Sequence, residues 1–338
     1  GGALTIEAGV IVKLRYEPGG CCYTSAYLKV LGALTANGTA AQPIYFTSDR
    51  DDSIGGDSNG DGIATAPAAG DWSGIRFEPN ATGSMSYVVI RYGGGSTYNG
   101  PSYSALDIGT GSAQPVLGAG IQITNNITGV AVSGPTTNVS ISGATFARNT
   151  IGIALNGGSA AIIGNTFTNN GTGVQAAAGT GGSITGNTFT TTTGQTAMSL
   201  NAGYLGTQSG NTSTGTGINA INIPSGTAIT GNANWGQVGI PYVVNSGSLT
   251  VNAGATLTIQ PGVIVKFQYA PGGCCYTSAY LRVQGALVAN GTAAQPIYFT
   301  SVRDDSLGGD SNGDGSATAA AAGDWSGIRF DSGATGSL

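Results

Sequence analysis

Gly143-Ala144-Thr145-Phe146, Gly164-Asn165-Thr166-Phe167 and Gly186-Asn187-Thr188-Phe189 are three versions of one phrase, 21 and 22 residues apart. Gly210-Asn211 and Gly231-Asn232 continue it at steps of 24 and 21. A second column holds Gly129, Gly152, Gly173 and Gly194. The first three open short apolar segments: Gly129-Val130-Ala131-Val132, Gly152-Ile153-Ala154-Leu155 and Gly173-Val174-Gln175-Ala176. A period of 21–24 residues with two or three short alternating segments per turn predicts a parallel β-helix. One coil cannot bury its apolar face alone. Stacking at about 4.8 Å per coil pairs each strand with its successor and closes a core. Phe, Ile and Val columns are expected inside, and Asn columns at the turns, where side-chain amides form ladders.

Composition agrees. The 338 residues include 60 Gly, 12 Pro, no His, 11 Lys and Arg, and 16 Asp and Glu. From Ile108 to Val265 only Arg148 is charged, which excludes a helical protein with charged outer faces. The richness in Thr, Val and Ile argues against disorder. No apolar run reaches the 18 or so residues of a membrane helix. A net charge of −5 argues against a nucleic-acid partner. Without His, every mechanism with a His base and every His-ligated metal site is excluded.

A longer repeat overlies the short one. Residues 1–85 match residues 254–338 without a gap at an offset of 253, with 67 identities. Residues 1–253 are thus expected to form one full solenoid unit, with insertions at 16–27 and 49–71. Residues 254–338 begin the next unit. One continuous solenoid, cut as a window from a longer tandem array, is the expected organisation.

Three phrases are specific: Leu4-Thr5-Ile6-Glu7-Ala8-Gly9-Val10-Ile11-Val12-Lys13, Gln42-Pro43-Ile44-Tyr45-Phe46-Thr47-Ser48 and Gly70-Asp71-Trp72-Ser73-Gly74-Ile75. With the Asn-Thr-Phe coils they resemble the right-handed parallel β-helix repeats of large secreted and surface proteins of bacteria, of adhesin or fibre type. The resemblance spans nearly the whole chain. It implies an all-β, right-handed parallel β-helix (β-solenoid) and an extracellular, cell-surface setting. It implies no activity, because that family includes adhesins, stalks and polysaccharide enzymes.

The first insertion carries Cys21-Cys22, repeated as Cys274-Cys275. Adjacent Cα atoms lie about 3.8 Å apart, closer than the usual disulfide range. The two pairs are about ten coils apart, on the order of 50 Å. A strained vicinal disulfide, bonds to a neighbouring chain, and free thiols all remain open; two Cys alone do not complete a zinc tetrahedron.

The second insertion holds Asp57-Ser58-Asn59-Gly60-Asp61-Gly62. Asp57, Asn59 and Asp61 with Gly62 match the first half of an EF-hand loop, where alternate oxygen side chains converge on Ca²⁺. Asp51 and Asp52 are candidates to complete the shell, since Ala68 stands where the bidentate Glu belongs. The copy offers Asp304, Asp305, Asp310, Asn312 and Asp314. Asp71 and Asp324 read as structural turn or cap residues.

Glycoside hydrolysis needs two carboxyl groups roughly 5–10 Å apart. The dense carboxylates sit in the acidic loop, and Asp107 reads as isolated, so no catalytic residue is expected. The expected function is a structural repeat of an extracellular filament or surface fibre, a rigid non-catalytic solenoid. Its partners would be copies of itself, tandem, head-to-tail or lateral. The alternative is an adhesin or stalk module binding surface glycans through Tyr16, Tyr23, Tyr27, Tyr92, Tyr98 and Tyr103. A polysaccharide-degrading enzyme ranks below both.

Overall fold

The computed structural model describes residues 1–16, 25–95, 104–109, 111, 115–134, 139–245, 247–269 and 278–338. Among them it forms short β-strands and no helix. Cys21, Cys22, Cys274, Cys275, Tyr23, Tyr98 and Tyr103 lie outside the described residues.

The chain divides into two compact units, Gly1–Gly173 and Val174–Leu338. The division falls inside the 253-residue sequence unit. A coil packs only on its neighbours, so the long period leaves no mark on contact density.

In the first unit each coil contributes three strands to three parallel stacks. One stack runs Ala3–Ile6, Ala33–Asn37, Thr82–Ser86, Pro115–Leu117, Val139–Ser142 and Ser159–Ile163. The next runs Ile11–Leu14, Ile44–Ser48, Val88–Arg91, Gln122–Thr124, Thr145–Ala147 and Thr166–Thr168. The third holds Tyr27–Val30, Gly74–Phe77, Ser104–Ile108, Thr128–Ser133 and Ile151–Asn156. The expected columns form. Ile141 pairs with Ile162, Val130 with Ile153 and Phe146 with Phe167. The two Phe rings stack at 4.9 Å and 11°. The second glycine column marks close approach between coils: a Cβ on Gly129 would lie 2.5 Å from the Gly152 carbonyl oxygen.

The Asn ladder is present and buried. Asn126 donates its backbone N–H and its Nδ2 to Asn149 Oδ1 at 3.0 and 2.9 Å, and Asn149 does the same to Asn170. Each Nδ2 also donates to a backbone carbonyl, that of Ile123 for Asn149 and that of Phe146 for Asn170. Buried amides thereby stay satisfied at every turn.

In the second unit, Gly181–Thr185 pairs with Thr207–Ser209, and Thr188–Thr191 with Thr212–Gly215. Those two stacks end there, and new ones start at Ala228–Ile229 and Asn232–Trp235. The first continues through Ser248–Val251, Tyr280–Val283 and Gly327–Phe330, the second through Thr256–Ile259, Ala286–Val288 and Thr335–Ser337. A third stack persists through Thr196–Leu200, Ile218–Ile223, Tyr242–Val244, Ile264–Phe267 and Tyr298–Ser301. At this change of faces a second ladder, in the Gly-Asn column, changes partner. Asn187 donates to Asn211, but Asn211 donates to Gln237 Oε1 at 2.9 Å, while Asn232 is an exposed strand residue. The longer Gln side chain spans the altered turn, and Tyr242 Oη closes the network on Gln208 at 2.7 Å.

Candidate metal centre

The acidic insertion leaves the strand Ile44–Ser48 and returns before Gly74–Phe77. Asp71 ties its two feet together. One carboxylate oxygen accepts from Ser48 Oγ at 2.8 Å and from the Ala68 N–H at 3.1 Å; the other accepts from Arg50 at 3.1 Å. Asp324 repeats the arrangement with Ser301, Ala321 and Arg303 at 2.7, 3.1 and 3.2 Å. Arg50 and Arg303 also lie 4.6 Å over the rings of Tyr16 and Tyr269.

At the tip, Asp57 organises the turn. Its carboxylate accepts backbone N–H groups from Gly60 at 2.7 Å, Asp61 at 3.3 Å and Gly62 at 2.8 Å. Those bonds, led by the one from Gly62, hold its carboxyl below the usual carboxylate range. Gly60 and Gly62 have φ of 78° and 70°, where a side chain would be strained. In the copy, Asp310 accepts from Gly313 at 2.7 Å and Gly315 at 2.8 Å, and those glycines have φ of 75° and 74°. The loop is thus formed twice in one conformation.

Asp52, Asp57 and Asp61 converge, with one carboxylate oxygen of each within 4.8 Å of the others. Asn59 braces the cluster: its Nδ2 donates to Asp61 Oδ2 at 3.0 Å and to Thr65 Oγ1 at 3.2 Å. Thr65 also donates to that Asp61 oxygen. The remaining oxygens, Asp52 Oδ1 and Asp61 Oδ1, are shielded from solvent and accept no hydrogen bond. Asp305 Oδ1 and Asp314 Oδ1 repeat this in the copy. Shielded carboxylate oxygens without donors, facing other carboxylates, are the donor set of a hard divalent cation such as Ca²⁺. The residues present fit such an ion. Burial, followed by the nearby Asp310, pushes the Asp305 carboxyl above its ordinary range. Asn312 takes the bracing role there, donating to Asp314 at 2.8 Å.

Asp51 is placed elsewhere, against the expectation that it joins the shell. It is buried, accepts from Thr47 Oγ1 at 2.5 Å and Ser53 Oγ at 2.6 Å, and pairs with Arg91 at 2.6 Å. Consecutive side chains at the loop's foot point to opposite sides, so Asp52 faces the cluster and Asp51 the solenoid wall. Asp304 follows Asp51, accepting from Thr300 at 2.7 Å and Ser306 at 2.5 Å. The hydrogen bond from the Ser306 hydroxyl holds its carboxyl low.

Two lysines also hold the loops. Lys13 Nζ donates to the Gly56 carbonyl, and Lys266 Nζ to the Gly309 carbonyl at 2.7 Å. Burial pushes the Lys266 amine below its ordinary value. A lone Lys inside Ile11-Val12-Lys13-Leu14 was the available signal.

Asp107 is not isolated. Lys29, Arg76 and Asp107 occupy successive coils in one register. Glu78 lies 3.4 Å from Lys29 and 3.1 Å from Arg76, and Arg76 lies 3.9 Å from Asp107. Burial outweighs this pairing and raises the Asp107 carboxyl above its usual range. In the copy, Arg282 and Arg329 both hold Asp331, at 2.6 and 3.1 Å. Loop length hides this register in the sequence, because Arg76 and Asp107 are 31 positions apart.

A family model described as a pectate-lyase-like β-helix domain matches residues 229–323. The crystal structure of an alginate lyase from Paenibacillus sp. str. FPU-7 is similar at 15% identity, over 81% of this chain and 90% of that one, with a TM-score of 0.29. No curated protein matches the chain in sequence. With every described stack parallel and a β-helix model matching the second unit, the chain is a right-handed parallel β-helix.

Proposed function

We propose that the chain is a structural repeat of an extracellular filament or surface fibre, non-catalytic, with its acidic insertions pinned by Ca²⁺. The observation that carries this reading is the twice-formed acidic loop. Both copies leave the same two carboxylate oxygens shielded and without donors, at Asp52 and Asp61 and at Asp305 and Asp314. An insertion that a cation would pin is suited to calcium-rich surroundings, and its recurrence suits repeated identical contacts. The carboxylates beside the charged strand faces are engaged by Arg and Lys, which fits a wall rather than a catalytic cleft. Electron cryomicroscopy of native cell-surface material, with and without chelator, tests the proposal. Fibres repeating at roughly 45–50 Å, loosened by chelator, support it. Dispersed molecules without a repeating contact overturn it.

One observation favours a second reading, a glycan-binding module. A groove of about 200 Å³ lies between Tyr16, Arg50 and the cluster residue Asp61. An aromatic ring beside charged groups and a cation suits an acidic sugar. Selective, chelator-sensitive hits on a glycan array would establish this reading in place of the first.

A further inference from the structure

Inside the second unit two stacks end and two others begin, and the backbone ladder is interrupted between them. Thr207–Ser209 is the last strand of its stack, and Asn232–Trp235 opens a new one. A strand without a successor must satisfy its polar groups by other means. Side chains bridge the break. Gln208 accepts from Tyr242 Oη at 2.7 Å and donates its Nε2 to the Gly206 carbonyl at 2.9 Å. Gln237 donates its backbone N–H to Tyr242 Oη at 3.3 Å and its Nε2 to the Asn211 carbonyl at 3.0 Å. Trp235 and Tyr242 stack at 4.4 Å and 3° on the far side of the break.

A cavity of about 10 Å³ lies at this break. Leu200 and Trp235 line it on the apolar side, and Asn201, Tyr204, Gln208 and Tyr242 on the polar side. The volume is the room that one water takes. Tyr204 is 5% exposed, and its Oη has no hydrogen-bond partner among the described residues. Burial pushes the phenols of Tyr204 and Tyr242 well above their ordinary value, so both hydroxyls keep their protons. Tyr242 spends its single proton on Gln208. Two acceptors at the cavity have capacity to spare. Gln208 Oε1 accepts from Tyr242, Asn201 Oδ1 accepts from the Gly203 N–H at 3.0 Å, and each oxygen carries a second lone pair.

We propose that this cavity is a binding site for one structural water, which accepts from Tyr204 Oη and donates to Gln208 Oε1 and Asn201 Oδ1. Three polar partners are the usual complement of a buried water. The water joins Tyr204 to a chain of bonds that runs through Gln208, Tyr242 and Gln237 to Asn211. That chain crosses from the last coil of the old stacks to the first coil of the new ones. Hydrogen bonds that the backbone ladder cannot make at the break are thus replaced by side chains and one solvent molecule. The lining is neutral and the room small, so the site takes water and not a hydrated cation. The inference is independent of the filament and calcium readings.

Two measurements on the full chain test the proposal. A high-resolution crystal structure is expected to show one ordered water within hydrogen-bond reach of Tyr204 Oη and Gln208 Oε1. Amide hydrogen exchange is then compared between the parent and Tyr204→Phe. The sign of the change separates a wet hydroxyl from a dry one. Removing a hydroxyl that holds a water breaks the chain of bonds, so protection across Thr207–Ser209 and Tyr242–Val244 is expected to fall by about three- to tenfold. Removing a hydroxyl that is buried without a partner relieves a cost, so protection would rise, and that result overturns the proposal. An empty cavity in the density overturns it as well. So does a direct bond from Tyr204 Oη to the Gly182 carbonyl, the nearest backbone acceptor beyond Gly206, because the hydroxyl would then need no water.

Discussion

The Arg91 guanidinium lies 2.6 Å from the carboxylate of Asp51, a side chain that is 1% exposed. One coil thereby grips the foot of the acidic insertion that leaves the coil before it. Arg91 also donates to Ser53 Oγ at 2.9 Å, so the grip extends into the loop.

Removing the cation from this pair leaves a buried anion held only by the Thr47 and Ser53 hydroxyls. Arg91→Met is expected to cost about 3–5 kcal/mol. Urea unfolding measures it, and adding Asp51→Asn should recover much of the loss. An additive double variant would show that the pair does not act as a unit.

Calcium is expected to bind with two equivalents per chain. Asp57→Asn and Asp310→Asn should each weaken one site at least on the order of 10–100-fold, the range for losing even an outer-shell partner. Titration calorimetry gives the stoichiometry. The pH dependence follows from the shifts. A proton competes for the raised Asp305 carboxyl at higher pH than for an ordinary Asp, so the affinity of the second site should begin to fall at higher pH than that of a site built on ordinary carboxylates. The depressed Asp57 carboxyl stays ionised to lower pH.

Asn149→Ala removes the acceptor for both donors of Asn126 and the donor to the Ile123 carbonyl. Each buried group left unpaired costs about 1–3 kcal/mol. The loss is expected to be largest around Thr128–Ser133, read as faster amide exchange there. A uniform change along the chain would contradict a local ladder.

Asp107 has the opposite sign from a salt-bridged carboxylate. Its folded-state pKa is raised, so its ionised form opposes folding above that pKa and is neutral in effect once protonated in both states. Asp107→Asn should therefore stabilise the protein at neutral pH, with the gain fading as pH falls through the raised pKa and absent below about pH 4. Thermal unfolding across pH 3–8 checks this; a gain that persists in acid would assign it to packing.

The coil was legible because Phe146 and Phe167, or Asn149 and Asn170, recur where loops between them are short. It faded where loops lengthen. Arg91 meets Asp51 from 40 positions away, and Asp107 meets Arg76 from 31, distances set by insertions rather than by the coil period. The cluster residues Asp57 and Asp61 followed from their alternate spacing. Asp51 and Asp52 were indistinguishable, because adjacency in sequence says nothing about which side of a loop's foot each faces. Gln237 was hidden for a similar reason: it joins the Asn column only where one pair of stacks ends and another begins.

Stacking of each coil on its neighbour also sets an order of events. Phe146 waits only for Phe167, and Asn149 only for Asn170, both 21 residues later. Contacts this local give an all-β chain the short loop closures usually associated with helical bundles. A polypeptide emerging N-terminus first can complete each coil when one further coil has appeared, without waiting for its distant end. Folding would then keep pace with delivery, leaving one growing edge unsatisfied at a time.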